Sequence, residues 1–570
     1  YALLEIGIAV TALGAHFLLH QLGLAHQLIH DWVGASPGLF AAVRFLLAFM
    51  LIMAPTALMG ATLPVLTRFL VRRETLVGIN ISSLYAANTF GAVSGVLLAG
   101  FFLIGRYGIH VPVYLAAIGN VLVGIAAWAW SRRMPDTLPE TRTPRVEAPE
   151  EKIPGGSPLS PGIRQLVLIG LGLSGLTSFA YEIYWTRSLV FILGNSTYAL
   201  STMLAAFLTG IALGGYLVRI LIRRSKDRAA TFGWVQVAIG VFSAMALPIL
   251  FGAEDPQSLN QYIIRTSEQA IPLILSSFGI AFLVMLVPAT LIGATFPLAG
   301  QIAAGDPDES GATVGRVYAI NTLGNVVGAL LPGVILLQWL GIQKGILAMA
   351  ILNIGLGFLL LFLRLMRPPA PAYWRIALPL VLILAVLPLS RAPLDFQFPS
   401  DGEKPSYRTL YYREGPLATT KVYDNPANGE KHISVDGIVI GGTGYSEFKQ
   451  LLLAHLPKLL LDDVSTELSV GVGSGILLGE SLLHCSVERA TGVEIEPSVV
   501  EGARWFDREN HRVLDNPRLK IAVDDVGCYL RTHPERFHVI SADEKTADQY
   551  ASNGFSYSQD YYELLRDHLA

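Results

Sequence analysis

Residues 469–480 read SVGVGSGILLGE. A short apolar stretch runs into three glycines at alternate positions, Gly471, Gly473 and Gly475, and a helical pattern follows. Glycines between a strand and a helix let a ligand approach the backbone at the N-terminus of the helix. The stretch therefore predicts a nucleotide-binding turn in a parallel sheet, with the ligand at the carboxyl ends of the strands.

Strands and helices alternate around this turn. The pattern predicts strands at 468–473, 487–495, 518–523 and 537–542, and helices at 446–460, 475–484, 497–507, 525–532 and 558–569. Such alternation is typical of a doubly wound parallel sheet. Residues 407–440 alternate in strand fashion between turn signals, so a small β-hairpin subdomain is expected at 400–445.

Acidic residues stand at the predicted ends of the next three strands. Glu494 ends the second strand, where a carboxylate can accept from both ribose hydroxyls. Asp524 and Asp525 end the third strand, in position to hold an adenine amino group, and Asp543 ends the fourth, facing the reacting group. Capping acids would explain single positions but not the series. We predict that the three glycines, Glu494, Asp524 and Asp525 bind a nucleoside cofactor and that Asp543 is catalytic.

The chain before residue 400 has a different composition. Of all 570 residues 52% are hydrophobic and 15% charged, against about 25% charged in soluble domains, and the mean hydropathy is +0.49. A bilayer core needs roughly 20 apolar residues in a helix. Apolar runs lie at 1–19, 38–66, 84–104, 111–130, 164–193, 196–222, 231–251, 271–301, 314–340 and 342–363, with a shorter run at 376–389. These runs predict an integral membrane protein.

Other classes of protein receive less support from the composition. A net charge of −3 carries no nucleic-acid signature. Cys485 and Cys528 suit neither a disulfide framework nor a zinc site, so no metal is predicted.

The apolar region contains an internal repeat. PTALMGATLPVL begins at Pro55 and PATLIGATFPLA at Pro288, which is an offset of 288 − 55 = 233 residues. LYAANTFGAVSGVLLAG at Leu84 and VYAINTLGNVVGALLPG at Val317 have the same offset, 317 − 84 = 233. The spacing predicts two parallel six-helix repeats, similar to those of major-facilitator transporters.

The repeat sets the expected organisation of the chain. By the same offset, the helices at 164–222 would correspond to positions before residue 1, so we expect two helices to precede Tyr1. The expected units are an incomplete first repeat, a linker, a second repeat, an extra helix with its connector, the β-hairpin subdomain and a C-terminally incomplete sheet domain. Their bounds are 1–131, 132–163, 164–367, 368–399, 400–445 and 446–570.

Basic residues give an orientation, because cytoplasmic loops of membrane proteins carry an excess of Lys and Arg. By helix count, one face receives Arg68, Arg72, Arg73, Arg132, Arg133, Arg219, Arg223, Arg224, Lys226, Arg228, Arg364 and Arg367. If the run at 376–389 crosses the membrane, residues 400–570 lie on the extracytoplasmic side, which the count favours. If it lies in the interface, they are cytoplasmic.

Polar residues inside the apolar runs have two interpretations. Asn88 and Asn321 occupy matched repeat positions, each followed by a Gly-xxx-Gly pair, and favour either close helix packing or a midplane substrate site. Glu182 is expected to face the bundle and to find a partner there, in an ion pair or a transport role.

Four histidines cluster near the N-terminus: His16, His20, His26 and His30. Their i, i+4 pairs have a spacing that a metal or haem can use. The alternative is that they are solvated at the helix end and in the following outward loop.

The soluble motifs, in order, resemble the spermidine synthase family: LYYREGPLATTKVY, FKQLLLAHLPKLL, GVGSG, VEIEP, DD and FSYSQDYYELL. Their place after a membrane part is similar to the bacterial proteins that fuse a major-facilitator-like region to a spermidine synthase-like domain. The resemblance implies a Rossmann-like, methyltransferase-type fold and S-adenosylmethionine or its decarboxylated form as donor. It also implies that Glu494 and Asp525 bind the donor and that Asp543 activates an acceptor amine.

The sequence departs from that family where the acceptor binds. The family's Tyr-His-Glu stretch reads Lys449-Gln450-Leu451, a pocket Gln falls near Ile440, and the second acid of the Asp-x-x-Asp pattern falls at Thr546. A polyamine needs carboxylates to pair its ammonium groups, and Lys545 adds a like charge.

Three interpretations remain open from the sequence. The first is a membrane-tethered aminopropyl- or methyltransferase-like enzyme. The second is a transporter with a soluble sensing domain. The third is a non-catalytic subunit of a larger membrane complex or homo-oligomer, with no cofactor if the domain is extracytoplasmic.

Overall fold

The chain divides into a helical region before residue 391 and a region with two sheets after residue 406. The structure is a computed structural model, and it describes residues 1–33, 37–70, 77–133, 160–193, 196–252, 270–303, 310–365, 374–390, 407–543, 556 and 558–570.

The helical region is built mainly from long apolar helices, with two short helices among them. They are α1 (Ala2–Val33), α2 (Pro37–Leu70), α3 (Val77–Leu98), α4 (Ile104–Tyr107), α5 (His110–Arg133), α6 (Pro161–Leu193), α7 (Thr197–Arg224), α8 (Arg228–Ala244), α9 (Ala246–Gly252), α10 (Ala270–Ala303), α11 (Ser310–Leu330), α12 (Leu337–Leu365) and α13 (Trp374–Val386). Nine segments of the described residues are long and apolar enough to cross a membrane, by length and composition alone. One of them, Thr313–Arg364, is divided at Gly341, whose φ of 71° and ψ of −179° interrupt α12. The predicted helical N-terminal region is confirmed.

Local backbone irregularities recur at the spacing of the sequence repeat. A π-helical turn follows α3 at Ala99–Leu103, and another follows α11 at Leu331–Leu336. Gly108 and Gly341, 233 residues apart, share a φ of 71° and a ψ near 180°. Glycine adopts this conformation without the steric penalty that a side chain would bring.

Close helix packing at the Gly-xxx-Gly pairs differs between the two halves. A Cβ atom at Gly324 of α11 would lie 1.9 Å from the carbonyl oxygen of Gly172 in α6, so these two backbones touch. The matched Gly91 and Gly95 of α3 have no described atom within 4 Å of such a Cβ. The packing interpretation therefore holds for the second half within the described residues.

The histidines near the N-terminus lie on helix α1, which runs to Val33. The expectation that they extend into a loop is wrong, because the helix continues past the apolar run. The His16 Nε2 atom lies 2.9 Å from His110 Nδ1 on α5. The side chains of His20, His26 and His30 are outside the described residues.

The helical region has two distinct ends. At one end Arg364 of α12 pairs with Asp227 between α7 and α8, with Nε and Oδ2 2.6 Å apart. At the other end Gln343 of α12 donates to the carbonyl of Leu389, 2.6 Å away, just beyond α13. Since α12 is about 32 Å long between these contacts, α13 runs beside it in the opposite direction.

The sheet region contacts the helical region at the Gln343 end. The backbone N–H of Ile342 donates to Glu414 Oε2 at 2.5 Å. Arg187, near the end of α6, donates to the carbonyl of Gly415 at 2.7 Å and also to that of Leu417. Glu182 has no polar partner within the part of the chain that is described, so its expected pairing is not found there.

In the described part of the chain after residue 406, two four-stranded sheets follow. The first is an antiparallel meander of β1 (Arg408–Glu414), β2 (Thr419–Asp424), β3 (Lys431–Val435) and β4 (Ile438–Gly442), where a hairpin was expected. The second, in the order β7-β6-β5-β8, has β5 (Thr466–Val470), β6 (Arg489–Glu494), β7 (Leu519–Val523) and β8 (Val539–Ala542), all parallel. Its helices are α14 (Tyr445–Leu460), α15 (Ile476–Ser481), α16 (Pro497–Ala503), α17 (Val526–Thr532) and α18 (Gln559–Asp567). The predicted Rossmann-type parallel sheet is confirmed.

Candidate functional site

The glycine turn lies between β5 and α15. Gly471, Gly473 and Gly475 have φ values of 87°, 54° and 77°, a left-handed region that disfavours side chains. This conformation ends β5 at Val470, three residues before the predicted end, and α15 is shorter than predicted. Gly475 faces the core, where an added Cβ would lie 3.0 Å from Asn510 Nδ2.

Glu494, the last residue of β6, holds this turn in place. Its Oε2 accepts from the N–H of Val472 at 2.9 Å, and its Oε1 accepts from the N–H of Glu496 at 3.1 Å. The side chain is almost fully buried, and burial raises its pKa, although the backbone N–H donors act against that shift. The carboxylate is therefore fixed at the carboxyl end of the sheet.

Asp524 and Asp525 follow β7 and are partly used by the local backbone. Asp525 caps α17, with its Oδ1 accepting from the N–H of Cys528 at 2.9 Å. Asp524 Oδ1 accepts from the N–H of Asp525 at 2.8 Å. The capping interpretation thus applies to Asp525, which also lines the cavity described below.

Asp543, after β8, carries an ion pair. Its Oδ1 meets the ammonium of Lys449 from α14, and its side chain is 19% exposed. The adjacent Gln450 is buried and accepts from Ser474 Oγ of the glycine turn at 2.6 Å. Lys545 and Thr546 lie outside the described residues.

A cavity of about 530 Å³ brings most of these residues together. Both sheets contribute to its wall, and the predicted residues that line it are Gly471, Gly473, Glu494, Asp524, Asp525 and Asp543. Gly475 is not among the lining residues, because it packs inward. The size suits a drug-sized ligand, which usually occupies roughly 300–1,000 Å³.

Glu496 is a lining residue that was not predicted from the sequence. Its Oε2 accepts from the N–H groups of Leu417 and Ala418, at 3.0 and 2.9 Å, and so ties the β1–β2 loop to the parallel sheet. Leu417 and Ala418 belong to the cavity wall, and the carbonyl of Leu417 also accepts from Arg187 of the helical region. Glu496 is the second acid of VEIEP, which was the available signal in the sequence. Its partners, Leu417 and Ala418, are too distant along the chain to be inferred from that motif.

Known proteins resemble this part of the chain. Residues 446–570 match the family described as the Spermine/spermidine synthase domain. The C-terminal domain is spermidine synthase-like. A polyamine aminopropyltransferase of Thermotoga petrophila is 31% identical over 165 residues, 28% of this chain and 54% of that protein.

Other relatives match a longer part of the chain. Polyamine aminopropyltransferase 1 of Streptomyces coelicolor is 24% identical over 424 residues, 72% of this chain and 74% of that protein. A Mycobacterium tuberculosis polyamine aminopropyltransferase is 24% identical over 422 residues. These matches exceed the length of residues 400–570, so the similarity continues into the helical region. The chain spans about three quarters of the Streptomyces relative and about half of the Thermotoga one.

A solved structure also matches the domain. It is a spermidine synthase in complex with the transition state analogue AdoDATO, 29% identical, with a TM-score of 0.26. The match covers 28% of this chain and 55% of that one.

Proposed function

We propose that this chain is an integral membrane protein of aminopropyl- or alkyltransferase type, whose spermidine synthase-like domain binds S-adenosylmethionine or its decarboxylated form. The observation that carries the proposal is that one cavity is lined by Gly471, Gly473, Glu494, Asp524 and Asp525 together. Strand-end carboxylates suit ribose hydroxyls and an adenine amino group. Relatives that are named polyamine aminopropyltransferases share similarity with both regions of the chain.

The chain's own residues have separate roles in this proposal. Glu494 and the backbone of the glycine turn hold the nucleoside, and Asp525 borders its base. A bound sulfonium donor would supply an electrophilic carbon. Asp543 is the carboxylate at which the proton of an attacking group would be held, since it ends the neighbouring strand β8 and lines the same cavity.

The proposed location is a bacterial cell membrane, with the lipid bilayer around the helical region and the sheet domain on the extracytoplasmic side. Arg223, Arg224 and Arg364 lie at the Asp227 end of the helices, which the excess of basic residues assigns to the cytoplasm. The sheet domain contacts the opposite end. There, in addition to the contacts of Arg187 and Glu414, Arg44 of α2 donates to Cys528 Sγ at 3.8 Å.

The extra helix supports the same orientation. Helix α13 and the 3₁₀ turn at Leu387–Ser390 lead from the Arg364 end to the Gln343 end of α12. Together they rise about 27 Å, close to the roughly 30 Å of a bilayer core. The segment therefore has the length and course of a membrane crossing.

Calorimetry on the full chain in detergent tests the nucleoside site. 5′-Methylthioadenosine and decarboxylated S-adenosylmethionine should bind the wild type. Glu494→Ala should weaken binding at least tenfold, because it removes the ribose acceptor and frees the N–H groups of Val472 and Glu496. Glu488→Ala, an exposed acid with no place in the cavity, is the matched control. Absence of binding to the wild type would contradict the proposal.

Labelling of intact cells tests the orientation. Cys485 is exposed, whereas Cys528 is half-buried against Arg44. A membrane-impermeant maleimide should label the wild type, and Cys485→Ser should lose most of the label. Labelling that requires permeabilised membranes would place the domain in the cytoplasm instead.

A non-catalytic binding role is the second candidate function. The ion pair between Lys449 and Asp543 favours it, because the carboxylate that would hold a proton already has a cation. In that role the protein acts as a subunit of a membrane complex or homo-oligomer, or as a transporter with a sensing domain. Measuring its mass after mild solubilisation distinguishes a lone monomer from an assembly.

A further inference from the structure

We propose that the Lys449 ammonium occupies the position beside Asp543 that the ammonium group of a cationic acceptor would need. The cavity then binds its nucleoside ligand and excludes cationic amines. This inference rests on the proposed nucleoside site and specifies which class of second ligand that site accepts. The observation behind it is the ion pair of Lys449 Nζ with Asp543 Oδ1 at the end of β8.

The helix α14 places Lys449 beside Asp543, although the lysine side chain itself is 61% exposed. Its neighbour Gln450 is buried, donates to the carbonyl of Gly442 at 3.1 Å and accepts from Ser474 Oγ at 2.6 Å. These bonds fix α14 against both the meander and the glycine turn. A tethered cation has an effective concentration on the order of mM or higher at its partner, with no entropy of association to overcome.

Asp543 is the acid that an amine near the reacting end would need. The other acids of the cavity all accept from backbone N–H groups, and Asp525 does so as the cap of α17; these acids are Asp436, Glu494, Glu496, Asp524 and Asp525. An amine that approached β8 would meet the Lys449 ammonium, which repels it and occupies its partner. The cavity wall also includes the apolar Ile440.

The acceptor or second ligand of this cavity is therefore neutral or anionic. A polyamine would have to displace Lys449 from Asp543 before its nitrogen could lose a proton to that carboxylate. Lys449 thus determines ligand specificity, and it acts through Asp543.

The test is a titration of putrescine into the full chain, solubilised in detergent and saturated with 5′-methylthioadenosine. The wild type and Lys449→Arg, which keeps the cation, should bind putrescine equally weakly. Lys449→Ala should bind it roughly two- to fivefold more tightly, the range that a solvent-exposed ion pair supports. Adding Asp543→Asn to Lys449→Ala should remove that gain, because the freed carboxylate is then absent.

Binding of 5′-methylthioadenosine is measured first on every variant and also shows that each one is folded. If the nucleoside binds but the wild type and Lys449→Ala have the same putrescine affinity, the inference about Lys449 is overturned and the nucleoside site stands. If the wild type binds no nucleoside, the proposed function fails, and this inference fails with it.

Discussion

Glu414 is the residue whose carboxylate links the sheet region to the helices, and its environment predicts a pH dependence. Burial raises its pKa above the ordinary carboxyl value, against the hydrogen bonds from Ile342 and Tyr412. The folded chain therefore holds this proton more tightly than the unfolded chain. The contribution of Glu414 to stability must fall as the pH rises from about 4.5 through the raised pKa.

Thermal unfolding of the wild type and Glu414→Gln between pH 4.5 and 7.5 measures this contribution. Glutamine keeps an acceptor for Ile342 and a donor for the Tyr412 oxygen but does not titrate. The unfolding midpoint of the wild type should fall relative to that of the variant as the pH rises. Parallel curves would show that Glu414 has no such role.

Helix packing at Gly324 gives a prediction at the scale of elements. Gly324→Ala would place a methyl group against the Gly172 backbone, so α6 and α11 must move apart. Overpacking of this kind costs about 1–3 kcal/mol. The unfolding midpoint in detergent should fall by several degrees.

Gly355→Ala, within α12, is the matched control. Its added Cβ has no described atom within 4 Å, and alanine favours a helix more than glycine does. Its midpoint should stay level or rise slightly. Equal losses for the two variants would mean that the glycine contact does not hold these helices together.

The same scale shows what the sequence could predict. The alternation of strands and helices and the turn at Gly471 and Gly473 were predictable, because each depends on neighbouring residues. Glycine, for example, suits the left-handed backbone of that turn better than other residues do. A β-hairpin subdomain was predicted from the turn signals, but the pairing of four strands into one meander was not, because local turn signals do not specify that β2 pairs with both β1 and β3. The ion pair between Lys449 and Asp543 joins distant positions, so no local pattern contains it.

Arg187 connects the two regions of the whole molecule, and its loss should reach the cavity. Its guanidinium holds the Gly415 and Leu417 carbonyls, and Leu417 belongs to the cavity wall. A hydrogen bond from a charged group contributes about 1.5–3 kcal/mol. We expect Arg187→Ala to weaken the binding of 5′-methylthioadenosine about three- to tenfold, because Leu417 of the cavity wall loses the hydrogen bond that holds its carbonyl.

Arg224→Ala, an exposed residue at the opposite end of the helices, is the control and should bind the nucleoside like the wild type. If Arg187→Ala lowers the unfolding midpoint but leaves the affinity for 5′-methylthioadenosine unchanged, Arg187 stabilises the contact between the two regions and has no effect on the cavity. The docking of the two regions had no signal in the sequence. It depends on a loop and a helix end that carry no motif and are far apart along the chain.

The hydrogen bonds from Arg187 of α6 to the β1–β2 loop have a practical consequence for work on the sheet region in isolation. Residues 407–570 expressed alone would leave the carbonyls of Gly415 and Leu417 to water and Glu414 without its Ile342 partner. The side of the cavity formed by Leu417 would then lack the helix that holds it in place. Ligand screens on an excised domain should therefore underestimate the affinity of the intact protein.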